Sequence, residues 1–135
     1  MKKLKTVPGK VIPVIISVVL FSCKNENKQR SMEVTATAYN SLAYQTSGNP
    51  FITAWGDTLK PGMKVIAVSR DLIDSGLVYQ TKVKIEGLPG KYVVRDKMNR
   101  RWTKKIDIYM GDSVQKAREW GKREVTISWK PKEQN

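Results

Sequence analysis

Two aspartates stand inside or at the end of strand-forming sequence. Asp96 ends the run Lys91-Tyr92-Val93-Val94-Arg95, and Asp107 sits inside Lys105-Ile106-Asp107-Ile108-Tyr109, eleven residues on. A carboxylate flanked by isoleucines in a strand needs partners or a use, because a buried charge without either is costly. The chain has no histidine and one cysteine, so acid/base chemistry falls to carboxylates, and these two are the first candidates. The same inventory argues against a metal site: imidazole is missing, and the carboxylates do not follow a calcium-loop pattern. No cofactor is expected.

The N-terminus sets the expected compartment. Lys2, Lys3, Lys5 and Lys10 precede an apolar run from Val11 to Phe21, which has signal-peptide length and is too short to span a bilayer. Leu20-Phe21-Ser22-Cys23 resembles a bacterial lipobox, so residues 1–22 are expected to be a lipoprotein signal and Cys23 the acylated residue. An uncleaved membrane anchor with an incidental cysteine is the alternative. Both place the domain outside the cytoplasm, in the cell envelope, and lipidation of Cys23 leaves no disulfide. Residues 23–31 read as a polar tether, 32–130 as one domain and 131–135 as a polar tail. The first 22 residues hold four of the thirteen net positive charges, which leaves +9 on 113 residues. Export argues against nucleic acid as the partner of that charge; an anionic wall polymer or lipid headgroup fits better, beside a merely solvated surface. The expected domain is a monomer.

The elements that must position the aspartates follow from periodicity. Glu33 to Tyr39 alternates in period two and opens the domain as a strand, with Thr37 and Tyr39 on one face. That face offers a hydroxyl and a phenol to a sugar or to a carboxylate, or packs as core. A loop runs from Asn40 to Pro50. Lys64 to Val68 predicts a strand, and Ser69 caps a helical turn that stops at Gly76. Thr81 to Glu86 and Lys91 to Arg95 flank Gly87-Leu88-Pro89-Gly90 as a hairpin. Asp112 is expected to cap a short helix that turns Val114, Ala117 and Trp120 inward, and Glu124 to Trp129 closes the domain. About six strands with two short helices suggest a small closed barrel.

In order, Thr35-Ala36-Thr37-Ala38-Tyr39, Trp55-Gly56-Asp57, Val65-Ile66-Ala67-Val68, Lys82 to Gly87, Val94-Arg95-Asp96, Lys105 to Gly111 and Ala117 to Val125 resemble the three-aspartate (3D) domain, over roughly residues 32 to 129. The resemblance implies an all-β fold with small inserted helices, a six-stranded double-psi β-barrel related to the catalytic domain of membrane-bound lytic transglycosylase A. It implies activity on peptidoglycan glycan strands. A lytic transglycosylase cleaves the β-1,4 bond between N-acetylmuramic acid and N-acetylglucosamine without water, because the muramoyl C6 hydroxyl attacks its own anomeric carbon. One carboxyl group then suffices as acid and base, in contrast to the carboxylate pair of ordinary glycoside hydrolysis. The resemblance assigns that role to Asp107, with Asp96 as its neighbour, and such an acid should be partly desolvated with a raised pKa.

The resemblance also puts Asp57 at the groove, although turn chemistry explains a Gly-Asp pair equally well. Where the family pattern has a third aspartate this chain has Ser69, which makes its hydroxyl a candidate substrate contact, with Asp71 and Asp74 close by. Where the pattern has a Gly-Gly pair and a lysine, this chain has Lys97-Met98-Asn99-Arg100-Arg101-Trp102. Arg100 and Arg101 are candidate contacts for carboxylates of stem peptides or wall polymers, and Trp102 a platform for a sugar face; a solvated basic loop is the alternative. Trp120 and Trp129 sit at core spacing. A non-catalytic wall-binding module and a barrel that docks an envelope protein are the rival functions.

Overall fold

Alternating side chains close this chain into a barrel. The computed structural model describes residues 2–16, 28–41 and 52–132. Cys23, most of the loop from Asn40 to Pro50 and residues 133–135 lie outside them. Residues 2–16 carry no helix or strand, and among the described residues no helix is long and apolar enough to cross a membrane.

Six strands and two short helices follow in the order β1 (Arg30–Tyr39), β2 (Val65–Val68), α1 (Arg70–Asp74), β3 (Lys82–Ile85), β4 (Lys91–Lys97), β5 (Lys105–Tyr109), α2 (Val114–Trp120) and β6 (Arg123–Trp129). Around the barrel the strands run β1-β5-β2-β4-β3-β6. β1 is parallel to β5 and β2 to β4, whereas the other seams, including the central β2–β5 seam, are antiparallel. Each strand of the central seam thus has a parallel partner on its outer side. This is the expected six-stranded double-psi β-barrel.

Period two decides what faces inward. Val34 and Ala36, Ile66 and Val68, Val83 and Ile85, Tyr92 and Val94, Ile106 and Ile108, and Val125 and Ile127 fill one core, joined by Leu72, Leu77, Trp120 and Trp129. Burying each large aliphatic side chain contributes roughly 1.5–3 kcal/mol. A smaller cluster of Leu59, Val65 and Tyr109, with Tyr39 and Met63 against it, packs the segment before β2 onto the rest of the domain.

Three expectations shift. The first strand starts at Arg30, not at Glu33, because Arg30 and Ser31 pair with Trp129 and Ser128 of β6. α2 is capped by Ser113, whose hydroxyl accepts from the Lys116 N–H at 3.2 Å, rather than by the exposed Asp112. Only Trp120 of the three inward-facing candidates in α2 is fully buried; its indole donates to the Ala36 carbonyl at 3.2 Å.

Candidate active site

β5 alternates Ile106 and Ile108 into the core, so Asp107 points to the outer wall. Its register partners are Thr37 on β1 and Ala67 on β2. The Thr37 hydroxyl donates to Asp107 Oδ1 at 3.0 Å. Asp96 reaches the same wall through an irregularity. β4 pairs Val94 with Ile66 and then Asp96 with Ala67, so Arg95 is an extra residue, a β-bulge. Strict alternation after the inward Val94 would have sent Asp96 into the core; the bulge re-aims it outward. Asp96 and Asp107 therefore flank Ala67 from opposite sides, with Cα atoms about 10 Å apart, two inter-strand spacings. Ala67 brings no side chain beyond Cβ between them.

Both carboxyl groups are half-buried rather than sealed in the core. Burial is the main cause that pushes the Asp107 pKa up from its ordinary 3.8; the Thr37 hydrogen bond and the Lys105 charge oppose it, and the Asp96 charge adds to it. Asp96 is also raised, first by burial, against the hydrogen bonds from the Ala54 and Lys97 N–H groups. Those donors lie 2.8 and 2.9 Å from Asp96 Oδ1. One oxygen of Asp96 is thus spent on holding the turn at Ala54 against β4. Among the described residues Asp107 has only the Thr37 partner, which makes it the more available of the two for proton transfer.

Tyr39 completes the wall. Its ring packs 5.5 Å from that of Tyr109, and its hydroxyl is buried with no hydrogen-bond partner among the described residues. Burial first, then the charges of Asp96 and Asp107, push its pKa far above the ordinary 10.0. The phenol is therefore a neutral donor beside two carboxyl groups.

Asp57 lies at the rim. It belongs to a tight turn in which Gly56 takes a φ of 85°, as turn chemistry predicts, and its carboxylate is also engaged across the groove. Tyr79 donates its hydroxyl to Asp57 Oδ1 at 2.9 Å, and Arg95 approaches the same oxygen at 3.4 Å. Its negative charge contributes to raising Asp96. The bulged Arg95 thus has a job, and Trp55 packs at a tilt with its ring centroid 5.3 Å from that of Tyr79 and the Lys97 ammonium 5.4 Å from its own ring. Sequence reading missed Tyr79, Arg95 and Trp55 as groove residues, and no local pattern around Tyr79 signals its contact with Asp57.

Ser69 is not a surface contact. It is fully buried, at 0% exposure, and caps α1 in position only. Its N–H donates to the Lys105 carbonyl at 2.9 Å, and its hydroxyl accepts from the Lys105 N–H at 3.0 Å. This corrects the expectation of a substrate-binding hydroxyl: Ser69 staples β2 to the start of β5. Asp71 works beside it, with Oδ2 accepting from the Lys104 N–H at 2.9 Å. Burial pushes Asp71 up, but hydrogen bonds from Ser69 and from backbone N–H groups outweigh it and leave the carboxyl below its ordinary value.

The loop between β4 and β5 rises directly beyond the carboxylates. It is anchored at both ends, by Met98 N–H to the Val68 carbonyl at 2.9 Å and by Lys104 on Asp71. Arg100 and Arg101 are exposed on it. Trp102 is 37% exposed, but cations already occupy its surface: the Lys105 ammonium lies 3.6 Å and the Arg101 guanidinium 4.8 Å from the ring. A sugar that stacks there has to displace one of them. Among the described residues no cluster of acidic or thiol ligands could hold a metal ion.

No protein-family model and no curated protein matches the chain in sequence. Among solved structures it is similar to the crystal structure of an apo expansin from Clavibacter michiganensis, with a TM-score of 0.51 and 16% sequence identity. The match covers 78% of this chain and 53% of that one, so the chain spans about half the length of its structural neighbour. At that identity the likeness concerns the fold.

Proposed function

We propose that this is a cell-wall-active protein that cleaves peptidoglycan glycan strands as a lytic transglycosylase, with Asp107 as its single acid/base. The observation that carries the reading is the Asp107 carboxyl: half-buried, raised in pKa, bonded by Thr37 alone among the described residues, and level with Asp96 across Ala67. In its protonated form Asp107 gives its proton to the glycosidic oxygen as the N-acetylglucosamine leaves. As a carboxylate it then takes the proton of the muramoyl C6 hydroxyl while that oxygen closes the 1,6-anhydro ring. Asp96 keeps the field negative around the developing oxocarbenium ion and holds the Ala54 turn. The neutral Tyr39 hydroxyl is a donor for a sugar oxygen. The similarity in fold to an expansin supports the barrel architecture that frames this site. The proposal includes export as a monomer tethered to a membrane through acylated Cys23.

A second reading has its own observation. One Asp96 oxygen is committed to two backbone N–H groups, which suits a barrel that grips glycan without cutting it. Mass spectrometry of purified sacculi after incubation with the full chain separates the two. The enzyme yields 1,6-anhydromuramoyl products, and Asp107→Asn lowers their rate by about 10²- to 10⁴-fold, the usual contribution of a general acid/base. Sacculus binding with no such product at all sinks the catalytic reading.

A further inference from the structure

A second groove lies on the other side of the barrel. In the cyclic strand order the β3–β6 seam is diametrically opposite the β2–β5 seam that carries the aspartates. A cavity of about 380 Å³ opens there, and five lysines line it: Lys82, Lys84, Lys91, Lys130 and Lys132. Among the described residues no carboxylate lines it. The ion pair found among those residues joins Arg95 to Asp57, neither of which lines this groove, so none of the five lysines is neutralised by a described acidic partner there.

Like charges are close neighbours in this groove. Lys84 and Lys91 are direct cross-strand partners in the β3–β4 hairpin, and like charges in that position repel at about 5 Å between Cβ atoms. Lys82 projects from the same face of β3, since Val83 and Ile85 alternate into the core. Lys130 and Lys132 arrive from beyond β6 and bring the same sign. At the floor, Thr81 is 1% exposed and its hydroxyl has no hydrogen-bond partner among the described residues. A surface with only solubility to serve would intersperse the two signs.

We infer that this lysine groove is a binding site for an anionic glycan strand, one that bears repeating phosphate or carboxylate groups, separate from the aspartate groove. The row of ammonium groups matches a polymer with regularly spaced negative charge rather than a single ion. Polar Gln29, Gln80 and Ser128 between the lysines suit the hydroxyls of a sugar or polyol backbone. Binding there would hold the opposite wall, with Asp96 and Asp107, toward a neighbouring strand.

The test uses the full chain, its Lys84→Gln/Lys91→Gln variant and its Asp107→Asn variant. The probes are a phosphodiester-bearing polysaccharide (phosphomannan), polygalacturonate, neutral dextran and a DNA duplex. The expected result is salt-sensitive binding of one or both anionic glycans, none of dextran, and about tenfold weaker binding by the double lysine variant. Which of the two glycans binds tells phosphate from carboxylate. Asp107→Asn should bind them as the parent does, so failure of the catalytic proposal leaves this one standing. Without any polymer, the double variant should melt at a higher temperature than the parent, because the Lys84–Lys91 repulsion is gone. Tighter binding of DNA than of either glycan, equal binding of dextran, or unchanged affinity in the double variant would overturn the inference.

Discussion

Asp96 and Asp107 share one register partner, Ala67, which β4 reaches only because of its bulge at Arg95 and β5 reaches in plain antiparallel register. The two carboxyl groups lie on one wall, yet they are not equivalent. Asp96 is tied down by two backbone N–H groups, whereas Asp107 keeps a single hydroxyl partner among the described residues.

The pH dependence of stability should reflect the raised pKa of Asp107. A carboxyl whose folded pKa lies above its unfolded value stabilises the fold fully below the unfolded value, and that stability is lost as pH rises through the folded one. A carboxamide in its place does not titrate. The Asp107→Asn variant should therefore gain on the parent as pH rises from about the ordinary 3.8 through the raised value, and the gain should then level off. Urea unfolding across that range reads it. A gain that shrinks with rising pH would mean that the carboxylate form is the one the fold prefers.

Thr37→Val keeps the β-branched shape and removes the hydroxyl that donates to Asp107 Oδ1. That hydrogen bond favours the charged form, so its loss should move the acid/base profile of sacculus cleavage to higher pH. The stability cost at neutral pH should be about 1 kcal/mol. An unshifted profile with intact folding would remove Thr37 from the site.

Asp96 offers a contrast between two variants. Asp96→Asn retains a side-chain oxygen for the Ala54 and Lys97 N–H groups, and Asp96→Ala retains none. The alanine variant should lose about 1–3 kcal/mol and loosen the Thr53–Asp57 turn, while the asparagine variant stays near the parent in stability. Denaturant midpoints and hydrogen exchange at Ala54 measure the difference.

Ser69→Ala should destabilise by about 1–3 kcal/mol, because the Lys105 N–H loses its acceptor. It should leave glycan affinity as it was. The lowered pKa of Asp71 should also rise toward its ordinary value, since the Ser69 hydroxyl helps to depress it. A depressed carboxyl stabilises above its unfolded pKa and loses that contribution as pH falls, so the parent's advantage over the variant should narrow in acid. Urea midpoints of both proteins at acidic and neutral pH check this.

Much of the barrel is legible along the chain. Val34-Thr35-Ala36-Thr37, Val83 to Ile85 and Glu124 to Trp129 alternate in period two, which decides both strand and inward face before any neighbour is known. The hairpin at Gly87 to Gly90 is equally local. Asp96 and Asp107 stand out because charge inside such patterns has few harmless explanations. Asp112 and Ser113 satisfy the same local rule for a helix cap, and only the backbone geometry chooses Ser113.

The set of strands, the inward residues and the short list of carboxylates follow from spacing along the chain alone. How they meet depends on the closed barrel. Parallel seams join strands far apart in sequence, so the shared register on Ala67, the outward turn of Asp96 at the Arg95 bulge and the Tyr79–Asp57 contact have no local signature. The same holds for Ser69, whose burial depends on the start of β5, and for the lysine groove. Its five charges come from three separate segments that only barrel closure brings to one face.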